Sequence, residues 1–333
     1  MDIRIINYFI SVYEERSFTK AAEKVHVVQS ALSMQIRNLE DELGASLFER
    51  NARGVEPTVA GRRFYELCVP IARDITTAKQ EIVDLVHGKR ISGSLRIGLP
   101  SSICKGILGS VLAEFCEEYP FVDLTVMESY HRILTEHVQA GVLDVALAAM
   151  PAEHHGLAFH PSFQDTCVLV SGRPINGDPF TPCDLSLKKD LDLIIPSERH
   201  LLGQAMNNYI ATGQISPRRL MRIDGTIAVM ESVLNSDWGS VCPMSAVIND
   251  VDSGRFFIYP VVNPDIKFDL HLVHDQRRPL TLAARCFVDI LEKKLADVYV
   301  RWSKVTGPGK RAALKRSGAN LINDQTAESG CAA

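Results

Sequence analysis

"SFTKAAEKVHVVQSALSMQIRNLEDELGASLFERNARGVEPTVAG", residues 17–61, sets two short helical patterns around a tight break and then turns into a run of Arg, Asn and Gly. Just before it, Ile6, Phe9, Ile10 and Tyr13 form the apolar stripe of a first helix, and Thr19 stands where it can cap a second one containing Ala21 and Ala22. A third helix is expected over residues 30–43. It would put Leu32, Ile36, Leu39 and Leu43 on the inner face and leave Gln29, Ser30, Ser33, Met34 and Arg37 on or near the outer one. Small and amide side chains at the entering end of a helix are what close approach to base edges requires. Gly44 suits the left-handed stop of that helix, and Leu47 with Phe48 would fold the following segment back onto the three helices. Arg50 and Arg53, around Asn51 and Gly54, then fall on a wing beside the phosphates. The pattern predicts a winged helix-turn-helix built for the major groove of double-stranded DNA.

At these residues the chain resembles the LysR-type transcriptional regulators. The family pattern is a Ser-Phe-Thr-x-Ala-Ala helix, a Gln-x-Ala-x-Ser recognition helix, Leu-Glu-x-x-Leu-Gly, Leu-Phe-x-Arg and Thr-x-Ala-Gly. All five pieces are present in order, at residues 17–22, 29–33, 39–44, 47–50 and 58–61. The resemblance implies that Gln29, Ser30, Ser33 and Arg37 approach bases and phosphates, with Arg50 and Arg53 on or under the wing. Many members carry a basic residue where this chain has Met34, which offers only apolar contact, for instance to a thymine methyl. Arg50, beside Leu47 and Phe48, reads equally as a structural ion-pair partner and as a DNA ligand.

Composition alone points elsewhere. The 333 residues carry a net charge of −4, so affinity for DNA has to come from local placement of Arg and Lys, not from a basic surface. A hydrophobic content of 46% supplies two or three cores. The opening residues lack the basic start and uninterrupted apolar run of a signal peptide, and no stretch approaches the roughly 20 apolar residues of a membrane span. The eight cysteines are scattered, with no Cys-x-x-Cys and no zinc spacing, which favours a reduced cytoplasmic protein without a metal or other cofactor.

After residue 58 one long helix is expected, because Phe64, Leu67, Ile71, Ile75, Ala78, Ile82 and Leu85 recur at steps of three and four. Such a stripe either packs on the protomer's own core or pairs with a second copy. The resemblance implies the second, an antiparallel linker-helix contact in a homodimer or homotetramer. Pro70 falls inside this helix and predicts a kink. Residues 87–94, "HGKRISGS", read as a hinge.

Beyond it, alternating strands and helices predict an α/β fold with a parallel or mixed sheet. Strands are expected at "SLRIGL", "VDLTVMES", "LDVALAAM", "CVLVSG", "LDLIIP", "RLMRID", "WGSVCP" and "DLHLVH". Helices are expected over residues 107–115, 201–212, 227–235 and 282–296, and along "RILTEHVQAG", which Gly141 closes. The resemblance implies two subdomains of periplasmic-binding-protein type with an effector between them. The organisation read here is a DNA-binding domain over 1–61, a linker helix and hinge over 58–90, an effector-binding domain over 91–302 and a disordered tail over 303–333. Subdomain I would comprise about 93–161 and 266–302, subdomain II about 162–265, and the chain would cross between them near Ser162 and Pro264.

Loops after strands that meet helix starts are the expected ligand site. Ser101 and Ser102 follow the first strand, and Ser129, Ser197 and Thr226 hold the same relation to later ones. Their hydroxyls can bind an effector such as an anion or carboxylate, or can serve as plain helix caps. Arg199 or His200 can supply a counter-charge. Cys104 and Cys242 read as small buried hydrophobes or as redox sensors, and His154 with His155 as a polar loop. The tail carries Lys310, Arg311, Lys315 and Arg316, which can add sequence-independent affinity for DNA. The expected function is an effector-responsive transcriptional regulator, with RNA polymerase as a further partner. The alternative is a DNA-tethered enzyme or carrier. The missing Gly-rich phosphate loop, nucleophile elbow and metal-ligand spacing weigh against an enzyme.

Overall fold

The computed structural model describes residues 1–51, 54–87, 91–152, 155–175 and 177–306. The chain divides into two compact units, Met1–Ser94 with Ala140–Val142, and Leu95–Gln139 with Leu143–Ala333.

The first unit opens with α1 (Ile3–Glu15), α2 (Phe18–Lys24) and α3 (Gln29–Leu43). Ser17, not Thr19, caps α2: its Oγ accepts from the Lys20 N–H, and Thr19 lies inside the helix. The helix begins one residue after Ser17, and only the flanking residue has the extended backbone a cap needs. α3 starts at Gln29, a residue earlier than expected, after Val28, which makes no side-chain cap bond. Gly44 ends it with φ +65°, as its sequence position requires. Phe9, Val12, Ala21, Leu32, Ile36, Leu39 and Leu47 pack as one core. Leu43 was expected on the inner face but stands 42% exposed, because the helix is already ending there.

A hairpin follows, β1 (Phe48–Asn51) antiparallel to β2 (Gly54–Pro57). It is joined to α3 by Glu40, whose carboxylate accepts the backbone N–H groups of Leu47 (2.7 Å) and Phe48 (3.1 Å). It is joined to the next helix, α4 (Val59–His87), by Thr58. That side chain donates to the Ser46 carbonyl and accepts from the Gly61 N–H, while the Thr58 N–H donates to the Leu47 carbonyl. α4 packs on α1 through Phe64, edge-on to Phe9, and Tyr65, stacked on Tyr13 with ring centres 3.8 Å apart. The helix runs unbroken through Pro70. Leu67, Ile71, Ile82 and Val83 along it are exposed, and the side chain of Leu85 lies outside the described residues.

The second unit is built on β3 (Ser92–Leu99), β4 (Phe121–Glu128), β5 (Val145–Ala149), β6 (Leu157–Ser171), β7 (Cys183–Asp184), β8 (Asp192–Ile195), β9 (Arg219–Arg222), β10 (Gly239–Pro243), β11 (Phe257–Asn263) and β12 (Lys267–Asp275). Their main path runs β4-β3-β5-β12-β6-β10-β8-β9, with β11 paired to β6 and β7 to β11. Ser92, Gly93 and Ser94, expected in the hinge, already belong to β3.

The fifteen-residue β6 is shared. Residues up to Thr166 pair with β12, and from Cys167 onward the strand pairs with β10 and β11. The hand-over therefore falls after Thr166. Ser162 instead sits at a register shift, because Phe163 opposes Leu270 and Pro161 opposes His271. Asp165, fully buried beside the hand-over, accepts from the Ser245 N–H (3.1 Å) and Oγ (2.5 Å) at the 3-10 segment Met244–Asp250. Burial raises its carboxyl to about 7 against these bonds.

The helices are α5 (Ser101–Ile103), a π segment (Cys104–Leu108), α6 (Gly109–Glu118), α7 (His131–Gln139), α8 (Leu201–Ala211), α9 (Thr226–Leu234) and α10 (Leu282–Thr306). The helical run after β3 begins at Ser101, so Ser101 and Ser102, expected to precede the helix that contains residues 107–115, instead open it. Gly106 lets the π segment lie close against Met244–Asp250: a Cβ there would meet the Ser245 carbonyl oxygen at 2.0 Å, and its own carbonyl accepts from Asn249 at 2.6 Å. α10 continues to Thr306, so residues 303–306 are helical and do not begin a tail. The basic cluster from Lys310 onward, Cys331, and His154 lie outside the described residues.

Candidate functional site

Two surfaces, one in each unit, collect the residues singled out above. On α3, Gln29, Ser30, Met34 and Arg37 are exposed and Ser33 is half-exposed, opposite the buried Leu32, Ile36 and Leu39. The Gln29 amide donates to the Ser33 hydroxyl at 3.1 Å, one turn apart on the outer face. Arg50 lies on β1 opposite Val55; its side chain and the whole of Arg53 lie outside the described residues. Met34 is 56% exposed, a large apolar side chain held in solvent on an otherwise polar face. Sequence reasoning missed the part played by Glu40, whose position just after Leu39 aims it at the backbone entering the hairpin.

In the second unit a cavity of about 100 Å³ opens at the carboxyl ends of β3, β4, β8, β9 and β10, where α/β sheets place their ligands. Ser101, Ser102, Ser129 and Thr226 all line it. None of these four hydroxyls makes a hydrogen bond among the described residues. Pro100 precedes α5 and Gly225 precedes α9, neither with a side-chain cap bond, so Ser101, Ser102 and Thr226 are not plain caps. Ser197 is not brought to the cavity. Its N–H and Oγ both donate to the Asp224 carboxylate, at 2.7 and 2.9 Å.

Much of the remaining wall is apolar, from Leu202, Ile223, Val229, Met230, Val241 and Phe268. Its other polar members are Tyr130, Ser240, two histidines and a carboxylate. His131 Nδ1 accepts the Ala149 N–H at 3.2 Å, which leaves the proton of the neutral ring on Nε2. Burial, reinforced by His200 nearby, depresses its pKa to about 4. His200, edge-on to Tyr130 at 4.4 Å, is also lowered by burial. Its Nε2 is buried without a hydrogen-bond partner among the described residues, 3.8 Å from Asp224 Oδ1. Asp224 is held below the usual carboxylate range, first by the Ser197 N–H. Among the described residues no Lys or Arg lines this cavity; Arg199 lines an adjoining hollow of about 620 Å³ instead.

Burial pushes the thiols of Cys104 and Cys242 up to about 12, with the Glu128 charge adding to the first. Cys242 is buried and Cys104 half-buried, and thiols raised this far are slow to react. Iodoacetamide at pH 8 is expected to modify them at least about a hundredfold more slowly than glutathione, since only the thiolate reacts. Peptide mass mapping over a time course checks this.

Residues 3–62 match the family signature "Bacterial regulatory helix-turn-helix protein, lysR family", and residues 88–296 match "LysR substrate binding domain". The chain belongs to the LysR family of transcriptional regulators. This LysR-type chain is 33% identical over 319 residues to the uncharacterized HTH-type transcriptional regulator YcgK of Bacillus subtilis, covering 90% of this chain and 96% of that one. It is 25% identical over 292 residues to the nitrogen assimilation regulatory protein nac of Klebsiella aerogenes, covering 87% and 94%. Among solved structures, full-length CbnR complexed with its target DNA shares the fold at a TM-score of 0.59 and 20% identity, covering 88% and 99%. As a LysR-type regulator the chain joins a helix-turn-helix DNA-binding domain to an effector-binding α/β domain. Its named relatives are transcriptional regulators. Among the described residues no helix is long and apolar enough to cross a membrane.

Proposed function

We propose that this regulator acts in the cytoplasm as a homodimer or homotetramer on an interrupted dyad operator, and that a small molecule held in the cavity between β3, β4, β8, β9 and β10 sets its affinity for that operator or the access of RNA polymerase. The observation that carries the effector site is the group of four uncommitted hydroxyls around one cavity, at helix starts whose caps they do not form. Gln29, Ser30, Ser33, Met34 and Arg37 read the groove, and Arg50 and Arg53 steady the wing on the phosphates. The exposed row Leu67, Ile71 and Ile82 on α4 supports pairing with a second copy, since it recurs at helical spacing on a face that no described residue of its own unit covers. For the effector to switch anything, it must bind two protomer arrangements with unequal affinity; equal affinity shifts neither.

The test is footprinting of the purified full chain on DNA upstream of its own gene, at two salt concentrations, with and without a fractionated metabolite extract. A protected dyad whose extent changes with one fraction is expected. Protection that never exceeds the salt-sensitive nonspecific background would place the operator elsewhere, and a dyad indifferent to every fraction would remove the effector from the reading.

A further inference from the structure

Of Gln29, Ser30, Ser33, Met34 and Arg37 on the outer face of α3, only Met34 can neither donate a hydrogen bond nor carry a charge. At about 100° per residue, it stands about 170° round the helix from the middle of the buried stripe Leu32, Ile36 and Leu39. Ser30 follows at about 150° and Arg37 at about 130° by the same count. Met34 is therefore the crest of the outer face, and it is 56% exposed there. A single apolar side chain on a surface is ordinary. This one is set apart by its place: a helix seated in the major groove drives its crest toward the base edges on the floor, while its flanks face the phosphate rows.

The floor offers few surfaces to a thioether. Adenine shows N7 and an amino group, guanine N7 and O6, cytosine an amino group, and thymine O4 beside its 5-methyl group. Met brings only a weakly accepting sulfur, so covering an amino or carbonyl group strips its water and returns no comparable bond. The pyrimidine 5-methyl is the one apolar feature in that set. An unbranched side chain with three rotatable bonds can settle on it without fine alignment of the helix. Charge argues in the same direction. Unlike Arg37, neutral Met34 gains nothing from the phosphates, so its contribution has to come from the bases.

We propose that Met34 is a specificity-determining residue that reads the 5-methyl group of one pyrimidine in each half of the operator. The inference rests on α3 being the helix in the groove, as argued above. Thymine carries that methyl group in ordinary DNA, and 5-methylcytosine carries it on the same ring carbon in modified DNA. An operator with cytosine at that step is then bound better methylated than bare.

The test begins by selecting duplexes from a randomised pool with the full chain. Each thymine of the selected dyad is then replaced singly by uracil, which differs only in lacking the methyl group. One thymine per half-site is expected to show an affinity loss of about fourfold, the scale of one buried carbon, and the two together about fifteenfold. In Met34→Gln the same replacement is expected to change affinity by less than about 1.5-fold, while Met34→Leu keeps the loss. Gln and Leu are good helix formers at an exposed position, and a circular-dichroism melt confirms that each variant is folded. Cytosine placed at that step, methylated or bare, separates the two sources, and the parent is expected to bind the methylated duplex about fourfold more tightly. A uracil effect without a cytosine-methylation effect overturns 5-methylcytosine as a ligand and upholds thymine. If no thymine is sensitive, or Met34→Gln stays as sensitive as the parent, the reading of Met34 is overturned while the selected dyad leaves the proposed function standing. If the chain selects no sequence at all, both fall.

Discussion

Ser33→Glu is expected to lower operator affinity by roughly a hundredfold or more, the loss of one or two good base contacts, while leaving the melting temperature within about 2 °C of the parent. Ser33 sits half-exposed in mid-helix, where Glu is the better helix former by a few tenths of a kcal/mol. Its only side-chain bond is with the neighbouring Gln29 amide at the surface. Folding therefore loses little. Binding loses on two counts: the longer side chain holds the helix away from the base edges, and its charge faces two rows of phosphates. Gel-shift titration with specific and scrambled DNA, beside a thermal melt, separates the two effects. Retained specific binding would show that α3 is not the helix in the groove.

Gly61→Val is expected to destabilise the DNA-binding unit by about 3 kcal/mol or more, the upper end of overpacking costs. A Cβ at Gly61 would lie 2.0 Å from the Leu47 carbonyl oxygen, and Leu47 cannot retreat. Its N–H is held by Glu40, its carbonyl accepts from Thr58, and its side chain is 1% exposed in the core. The milder Gly61→Ala poses the same clash against a helix-propensity gain of about 1 kcal/mol. The clash involves backbone on both sides, so it wins and Ala also destabilises. Gly109 in α6 supplies the contrast, because a Cβ there meets nothing within 4 Å; Gly109→Ala should be neutral or slightly stabilising. Calorimetric melts of the three variants check the order, and a Gly61→Val chain as stable as the parent would mean that α4 and the turn at Leu47 are not packed as described.

These two cases also show what could be read in advance. The helix-turn-helix was legible because its signals are local: stripes at helical spacing, and a Gly where a left-handed residue is needed. Thr19 was misassigned as a cap because Ser17 and Thr19 have similar chemistry and only the backbone at the helix start separates them. Most strands and helices of the second unit were legible for the same local reason; the two-residue β7 was too short to show any alternation, and two longer misses share a cause. The first half of β6, "LAFHPSFQDT", and all of β11, "FIYPVVN", contain Pro161 and Pro260, and β6 also has the register shift at Ser162, which breaks its alternation.

The cavity was half legible. Strand-to-helix junctions marked Ser101, Ser102, Ser129 and Thr226, but whether a hydroxyl is free depends on partners far along the chain. Ser197 has the same local signature and is taken by Asp224, 27 residues on. His131 carried no signal beyond starting a helix, and its burial and its bond from Ala149 belong to the folded sheet. The close approach at the π turn Cys104–Leu108 was invisible, since it sets Gly106 against Ser245, a residue on a distant segment.

β6 has a consequence for how the effector-binding unit comes apart. One strand supplies ladder bonds to β12 on one side of Thr166 and to β10 and β11 on the other. Neither half can release its part of that strand without fraying the other's. The pair should thus melt in a single cooperative step, with the slowest-exchanging amides clustered along β6, and a ligand gripping only one half would still protect both from unfolding.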